Sequence, residues 1–304
     1  MPQSDRARNT ALGLAGLDMP VQAGYRLRRE CITMNSSSHI GPEPGSPILL
    51  VPYMWIGDFV RCHSVVRLLC QQNPGREVDV LTTTLCAPLL DYMPGVRKGI
   101  VCDLPRRRLG LSKQRELATR LRAEQYGHVL IMPRTWKSAL APMLAGVPRR
   151  TGFLGEFRFG LLNDIRPGER TLPRMVDRCG ALALPVGAPL PAQWPEPVLD
   201  VPLAEASAWR TQKGVPDDGR PVVAFAPGAV GPSKRWPIAA FAELAHRLTD
   251  DGAAVWVLGS PQETPLATEI VKAAGTHAYD LTSPDLRNAI LALKLASAAV
   301  SNDS

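Results

Sequence analysis

From Ser46 onward, short apolar runs alternate with stretches in which apolar residues recur every three or four positions. The run "PILLVP" (47–52) predicts a strand buried on both faces. In the stretch that follows it, Phe59, Cys62, Val66 and Leu69 fall on one helical face. "REVDVLT", "GIVCDL" and "HVLIM" predict further strands, separated by helical stretches near 84–92 and 113–126. Strands that alternate with helices in this way build parallel sheets with crossover helices, so the expected fold class is α/β.

Between Leu184 and Pro202 the pattern stops, and six prolines from Pro185 to Pro202 exclude a helix or a central strand there. This stretch reads as a linker. Alternation then resumes with "PVVAFAPG", a helix presenting Phe241, Leu244, Ala245 and Leu248, the strand "AAVWVLG", a weaker strand "AYDLT", a helix with Leu286, Ile290 and Leu293, and a final buried strand "ASAAVSN". The organisation expected is a flexible leader over 1–45, with Met34 as an alternative start, a first Rossmann-like domain over 46–190 and a second over 191–304. Two such domains facing a cleft would hold their ligands between them.

Composition narrows the function classes. A 45% hydrophobic chain of 304 residues is globular, and no run approaches the roughly 18 apolar residues of a spanning helix. Arg6 and Arg8 precede the apolar "TALGLAGL", but Asp18 interrupts it before a cleavage site, so the expected location is cytoplasmic. The six cysteines include no C-x-x-C pair and read as reduced thiols. No D-x-D and no H-x-x-x-H occur, and no metal site is expected. Residues 46–200 carry 21 Lys+Arg against 13 Asp+Glu, whereas 201–304 carry 9 against 11. The basic first half suits solubility or an anionic partner; nucleic acid is disfavoured, since no aromatic residues interleave the charges and no binding motif occurs.

In parallel sheets the segments just after the strands face the ligand. In "PYMWIGDFV", Asp58 is either a helix cap or a carboxylate placed as a general base. No G-x-G-x-x-G follows this strand, which disfavours an oxidoreductase. In "PGAVGPSKRWP" (227–237), Gly228 and Gly231 allow close backbone approach while Lys234 and Arg235 add positive charge. That describes a phosphate-binding loop, or equally an ordinary solvated loop, and not a Walker motif. In "LGSPQET", Gly259, Ser260 and Glu263 could meet a ribose or phosphate, or Ser260 could cap the next helix.

"WIGDFV", "PRTWKSALAPMLAGVPRRTGFLGEFRFGLLND" (133–164), "PGAVGPSKRWP" and "SNDS" stand in the order seen in the ADP-heptose:lipopolysaccharide heptosyltransferases, and the chain resembles that family from about Ile48 to its last residue. The resemblance implies the GT-B fold and metal-free, inverting transfer of L-glycero-D-manno-heptose from ADP-heptose to the first heptose of the lipopolysaccharide inner core. "KRWP" and "GLLND" favour this over the alternatives of the same class, the members that add the first heptose or another family-9 transferase. The resemblance also implies Asp58 as base and Lys234 as the donor-phosphate lysine, with Gly228, Ser233, Arg235, Gly259, Ser260, Glu263, Asp303 and Ser304 on the donor. Lys137, Ser138, Glu156 and Arg158 would meet a phosphorylated lipid A and inner-core acceptor, at peripheral contact with the cytoplasmic face of the inner membrane. In the family the tip seen here as Asn302-Asp303-Ser304 continues into a Gly-Leu-x-His stretch, so the second domain is expected to be incomplete, and an inactive truncated chain is the alternative. A nucleotide-sugar epimerase on the same fold needs a proton-shuttling pair that the sequence does not offer.

Overall fold

The computed structural model describes residues 45–105 and 109–302, which belong to one compact unit spanning Ile40–Ser304. The leader expected over 1–45 thus lies outside the described residues, Gly45 excepted, as do Arg106, Arg107, Arg108, Asp303 and Ser304.

In chain order the first half runs β1 (Ile48–Val51), α1 (Ile56–Gln72), β2 (Val78–Thr82), α2 (Ala87–Leu90), β3 (Val96–Val101), α3 (Leu111–Ala123), β4 (His128–Ile131), α4 (Trp136–Leu144), β5 (Arg149–Phe153), β6 (Asp164–Arg166) and α5 (Met175–Ala181). The second half runs α6 (Leu203–Gln212), β7 (Val222–Ala226), α7 (Ile238–Asp250), β8 (Ala254–Val257), α8 (Thr264–Ala274), β9 (Ala278–Asp280), α9 (Leu286–Leu295) and β10 (Ala298–Ser301).

All strand pairs are parallel. The first sheet has the order β3-β2-β1-β4-β5-β6 and the second β10-β7-β8-β9. Read from its far edge, the second sheet repeats the 3-2-1-4 order of the first. Strand order therefore reverses between β1 and β4 and again between β7 and β10, and the crevices at those reversals are where open α/β sheets take ligands.

Side-chain alternation sorts each central strand into two cores. Ile48 and Leu50 of β1 join one cluster, while Leu49 and Val51 join another under α3 and α4. In the second half Val222 and Ala224 of β7 and Ala254 and Trp256 of β8 fall in the same cluster as Ile48 and Leu50. Phe225, Val255 and Val257 fall instead under α7 and α8. One core thus runs through both halves, closed by α1, α2 and α5 on one side and α6 and α9 on the other. Phe59, Cys62, Val66 and Leu69 enter it as the spacing predicts.

The Pro-rich stretch has no regular element, as expected, but it is tied to the first half. Arg67 donates to the Glu196 carbonyl at 2.8 Å, the Val198 N–H donates to His63 Nδ1 at 3.1 Å, and the Asp200 N–H donates to the Tyr92 carbonyl at 2.7 Å. Across the halves, Arg287 of α9 donates to the Tyr92 hydroxyl at 2.7 Å, pairs with Asp91 and lies over the Tyr92 ring at 5.3 Å.

Three expectations are corrected. The helical stretch near 84–92 contracts to Ala87–Leu90. The strand read from "GIVCDL" begins at Val96 and ends at Val101. The final strand β10 is largely exposed rather than buried, because it lies at a sheet edge and pairs only with β7 among the described residues.

Candidate active site

At the end of β1 the chain turns through Tyr53, Met54 and Trp55 into α1. Trp55 occupies the N-cap position without a side-chain cap bond, so Asp58 is not the cap; it lies in the first turn, where the helix dipole favours a carboxylate. Its Oδ1 accepts a hydrogen bond from Arg61 Nη1 at 2.8 Å, and its side chain keeps 22% exposure. Arg61 was not singled out in the sequence, although an i, i+3 spacing on a helix marks such a pair.

Beneath this turn Cys62 and Cys179 stand with their sulfurs 3.9 Å apart, both buried and both reduced. The adjoining Cys62 thiol and burial together push the Cys179 thiol far up, so Cys179 presents no thiolate nucleophile. Burial also pushes Tyr53 up to about 12, leaving it a neutral phenol.

Beyond β4, the four residues expected at the acceptor converge on the N-terminus of α4. Glu156 accepts from the Trp136 N–H at 3.2 Å, and Ser138 donates to the Thr135 carbonyl at 2.6 Å. Lys137 is half-buried in the first turn. Arg158 corrects the expectation: its side chain is fully buried, not on the acceptor face. Its guanidinium donates to the carbonyls of Pro133 at 2.7 Å and Leu154 at 3.2 Å, to the Phe153 carbonyl, and to Ser138 Oγ at 3.3 Å. Burial lowers its pKa, and the ring of acceptors offsets that cost. Arg158 therefore fastens the β5–β6 turn to the β4–α4 turn. The same fastening admits only glycine at position 155, where φ is +55° and a Cβ would lie 2.2 Å from the Arg134 carbonyl oxygen.

In the second half, a hollow of about 460 Å³ at the β7/β10 reversal is lined by Ser233, Lys234, Arg235, Trp236, Val300, Ser301 and Asn302. Lys234 ends a short 3-10 turn and is exposed. Its ammonium has no hydrogen-bond or ion-pair partner among the described residues, so it is free to meet an anion. Arg235 is held back, its Nε donating to the Ala229 carbonyl at 2.9 Å.

Asn302, absent from the expected site, organises this loop. Its Nδ2 donates to the Pro227 carbonyl at 2.7 Å and its Oδ1 accepts from the Trp236 N–H at 2.8 Å. One nearly buried amide thus pins both ends of the segment that carries Lys234. The only sequence signal is a polar residue set directly after an apolar strand.

Gly228 and Gly259 follow β7 and β8, and Glu263 is wedged against both: a Cβ at either position would lie 2.9 or 2.8 Å from its side chain. Glu263 Oε2 accepts from the Ser260 N–H at 2.8 Å and from Ser260 Oγ at 2.5 Å. Ser260 Oγ in turn accepts from the Gln262 N–H at 3.3 Å, so Ser260 caps the following turn, the structural alternative seen in the sequence.

The structure therefore gathers Gly228, Ser233, Lys234, Arg235, Gly259, Ser260 and Glu263 at the carboxyl edge of the second sheet. Asp58 stands at the carboxyl edge of the first. Among the described residues, the hollow beside Lys234 is lined by the second half alone. Among the described residues no cluster of three or more His, Cys, Asp and Glu side chains could hold a metal ion.

The chain resembles known proteins over most of its length. Residues 114–304 match the model of glycosyltransferase family 9 (heptosyltransferase). The chain is 36% identical over 271 residues to lipopolysaccharide heptosyltransferase 2 of Escherichia coli, covering 84% of this chain and 77% of that protein. It is 34% identical over 269 residues to lipooligosaccharide heptosyltransferase 2 of Haemophilus ducreyi, again covering 84% and 77%. The solved structure of E. coli ADP-heptose lps heptosyltransferase II superposes with a TM-score of 0.77 at 35% identity, over 85% of this chain and 79% of that one. Its two parallel sheets with repeated strand order are thus those of the GT-B fold. The protein belongs to glycosyltransferase family 9, the heptosyltransferases.

Proposed function

We propose that the protein transfers L-glycero-D-manno-heptose from ADP-heptose to the first heptose of the lipopolysaccharide inner core, with inversion, at peripheral contact with the cytoplasmic face of the inner membrane. The observation that carries this reading is the similarity to curated heptosyltransferases of that type across 84% of the chain.

An acceptor hydroxyl oxygen attacks the anomeric carbon while the bond from that carbon to the diphosphate oxygen breaks, and ADP leaves as an anion. Asp58 takes the hydroxyl proton. Arg61 holds its Oδ1 by a hydrogen bond at 2.8 Å, and the carboxylate accepts the proton as the new bond to the anomeric carbon forms. Negative charge grows on the departing diphosphate, and the exposed Lys234 in its pinned loop supplies the counter-charge, about 3 kcal/mol on the scale of one oxyanion donor. Ser233 and the backbone at Gly228 and Gly259 line the donor's path. Glu156, Ser138 and Lys137 lie toward the acceptor. This reading assigns charge neutralisation to Lys234 and requires no metal ion.

Product mass with ADP-heptose and a core acceptor tests the assignment. Asp58→Asn is expected to lower kcat by about 10²- to 10⁴-fold with ADP affinity unchanged, and EDTA in the same assay is expected to leave turnover intact. Undiminished turnover by Asp58→Asn removes Asp58 from the mechanism.

A further inference from the structure

The turn after β5 presents two phenylalanines in an unusual way. Phe157 is 85% exposed and Phe159 65%, while Arg158 between them is 0% exposed. A long residue drawn inward, with its guanidinium spent on Pro133, Phe153, Leu154 and Ser138, leaves its two neighbours pointing out. Phe157 also has φ +49°, a left-handed conformation that bulky side chains rarely adopt. The rings are therefore held out by a built support rather than by a loose loop.

Because every strand of the first sheet is parallel, this turn lies on the same carboxyl edge as the β1–α1 turn, where Trp55 is 57% and Ile56 39% exposed. The segments beside the phenylalanine turn carry Arg134, Lys137 and Arg170 along with Glu156 and Glu169, and Arg134 pairs with Glu169 at 3.2 Å. The half as a whole carries 21 Lys+Arg against 13 Asp+Glu. Rigid exposed rings in a half that carries a positive excess suit the headgroup boundary of an anionic bilayer, the rings entering the acyl edge and Lys and Arg side chains meeting phosphate. No helix among the described residues is long and apolar enough to cross a membrane, so such an attachment would be interfacial.

We propose that Phe157 and Phe159, held out by buried Arg158, form the anchor by which the first half docks on an anionic lipid bilayer. The inference rests on the proposed membrane contact and adds the surface that makes it. Its test needs no turnover. The full chain is sedimented with vesicles of phosphatidylethanolamine and phosphatidylglycerol, and in parallel with phosphatidylcholine vesicles, for the wild type and for the Phe157→Ser/Phe159→Ser double variant, with circular dichroism as the check on folding. The expected result is binding to the anionic vesicles that weakens with salt and falls by about tenfold or more in the double variant. A second variant, Phe157→Trp, is expected to bind as the wild type and to shift its emission to the blue when the anionic vesicles are added. Equal binding by wild type and double variant overturns the proposal, as does an unshifted Phe157→Trp. Self-association that the double variant abolishes, without vesicle binding by the wild type, assigns the rings to a second copy and also overturns it. A protein that binds vesicles but transfers no heptose refutes the proposed transfer reaction and leaves the anchor standing; one that transfers heptose to a soluble acceptor but ignores vesicles overturns the anchor and the membrane contact and leaves the transfer reaction standing.

Discussion

Replacing Asn302 by alanine removes both pins of the Pro227–Trp236 loop in a single change. The bond to Trp236 is half-buried, so water can replace part of it and its loss costs about 1 kcal/mol. The bond to Pro227 is buried, and an unsatisfied carbonyl there costs about 2 kcal/mol. The sum, about 3 kcal/mol, corresponds to a fall in Tm of about 5 °C for a chain of this size. If the pins also hold Lys234 where a diphosphate would lie, part of the same free energy is lost from ADP binding. A share of 1.4 to 2.8 kcal/mol raises Kd about tenfold to a hundredfold. Calorimetric titration with ADP and a thermal melt on the same sample separate the two effects. Lys234→Ala supplies the control, because a residue acting through Lys234 adds little once Lys234 is gone, and the double variant should lose clearly less than the sum of the single losses. An ADP affinity within about twofold of wild type, despite the lower Tm, would show that Asn302 only packs and would refute the positioning argument.

Two further outcomes follow from buried polar groups. Arg158→Met strands several inward carbonyls and should lower stability by about 3–5 kcal/mol, read as a reduced urea midpoint; a change below about 1 kcal/mol would show that water already serves those carbonyls. His128, buried beside Thr151 and pushed down to about 3 by burial and by Arg149, stays neutral in the folded protein, whereas the unfolded chain takes up a proton near 6.5. Its contribution is therefore present above pH 6.5 and is lost as pH falls toward about 3, at up to about 1.4 kcal/mol per pH unit, and His63 shifts in the same direction. The urea midpoint should drop between pH 6.5 and about 5 in the wild type and less steeply in His128→Gln; parallel slopes would count against this origin.

How much of this was legible in the sequence depended on the range of the interaction. The β1 run and the Phe59, Cys62, Val66 and Leu69 stripe are local patterns, and they identify a parallel strand and its crossover helix without further help. Asp58 was placed correctly at a helix start, and even its Arg61 partner is encoded by spacing. Arg158 was misplaced because its burial depends on carbonyls from the ends of two different strands, and no neighbour in sequence announces such a convergence. Asn302 escaped for the same reason, since its two partners lie 75 and 66 residues away. The Pro-rich stretch shows the limit from the other side: proline density excluded helix and strand, yet gave no hint that the chain is strapped along α1 by His63 and Arg67. The final strand was misjudged because small apolar residues serve a sheet edge as readily as a sheet centre.

The core that Ile48 and Leu50 share with Val222 and Trp256 bears on how far the active-site mouth can gape. Between the halves, Ile56, Val60 and Leu89 face Leu286, Ile290 and Leu293 across an apolar seam of about 330 Å³. Swinging the halves wide apart would wet that seam and part Arg287 from Tyr92. A wide gape of the two halves is therefore opposed by the burial of that greasy joint as well as by the Arg287–Tyr92 contact.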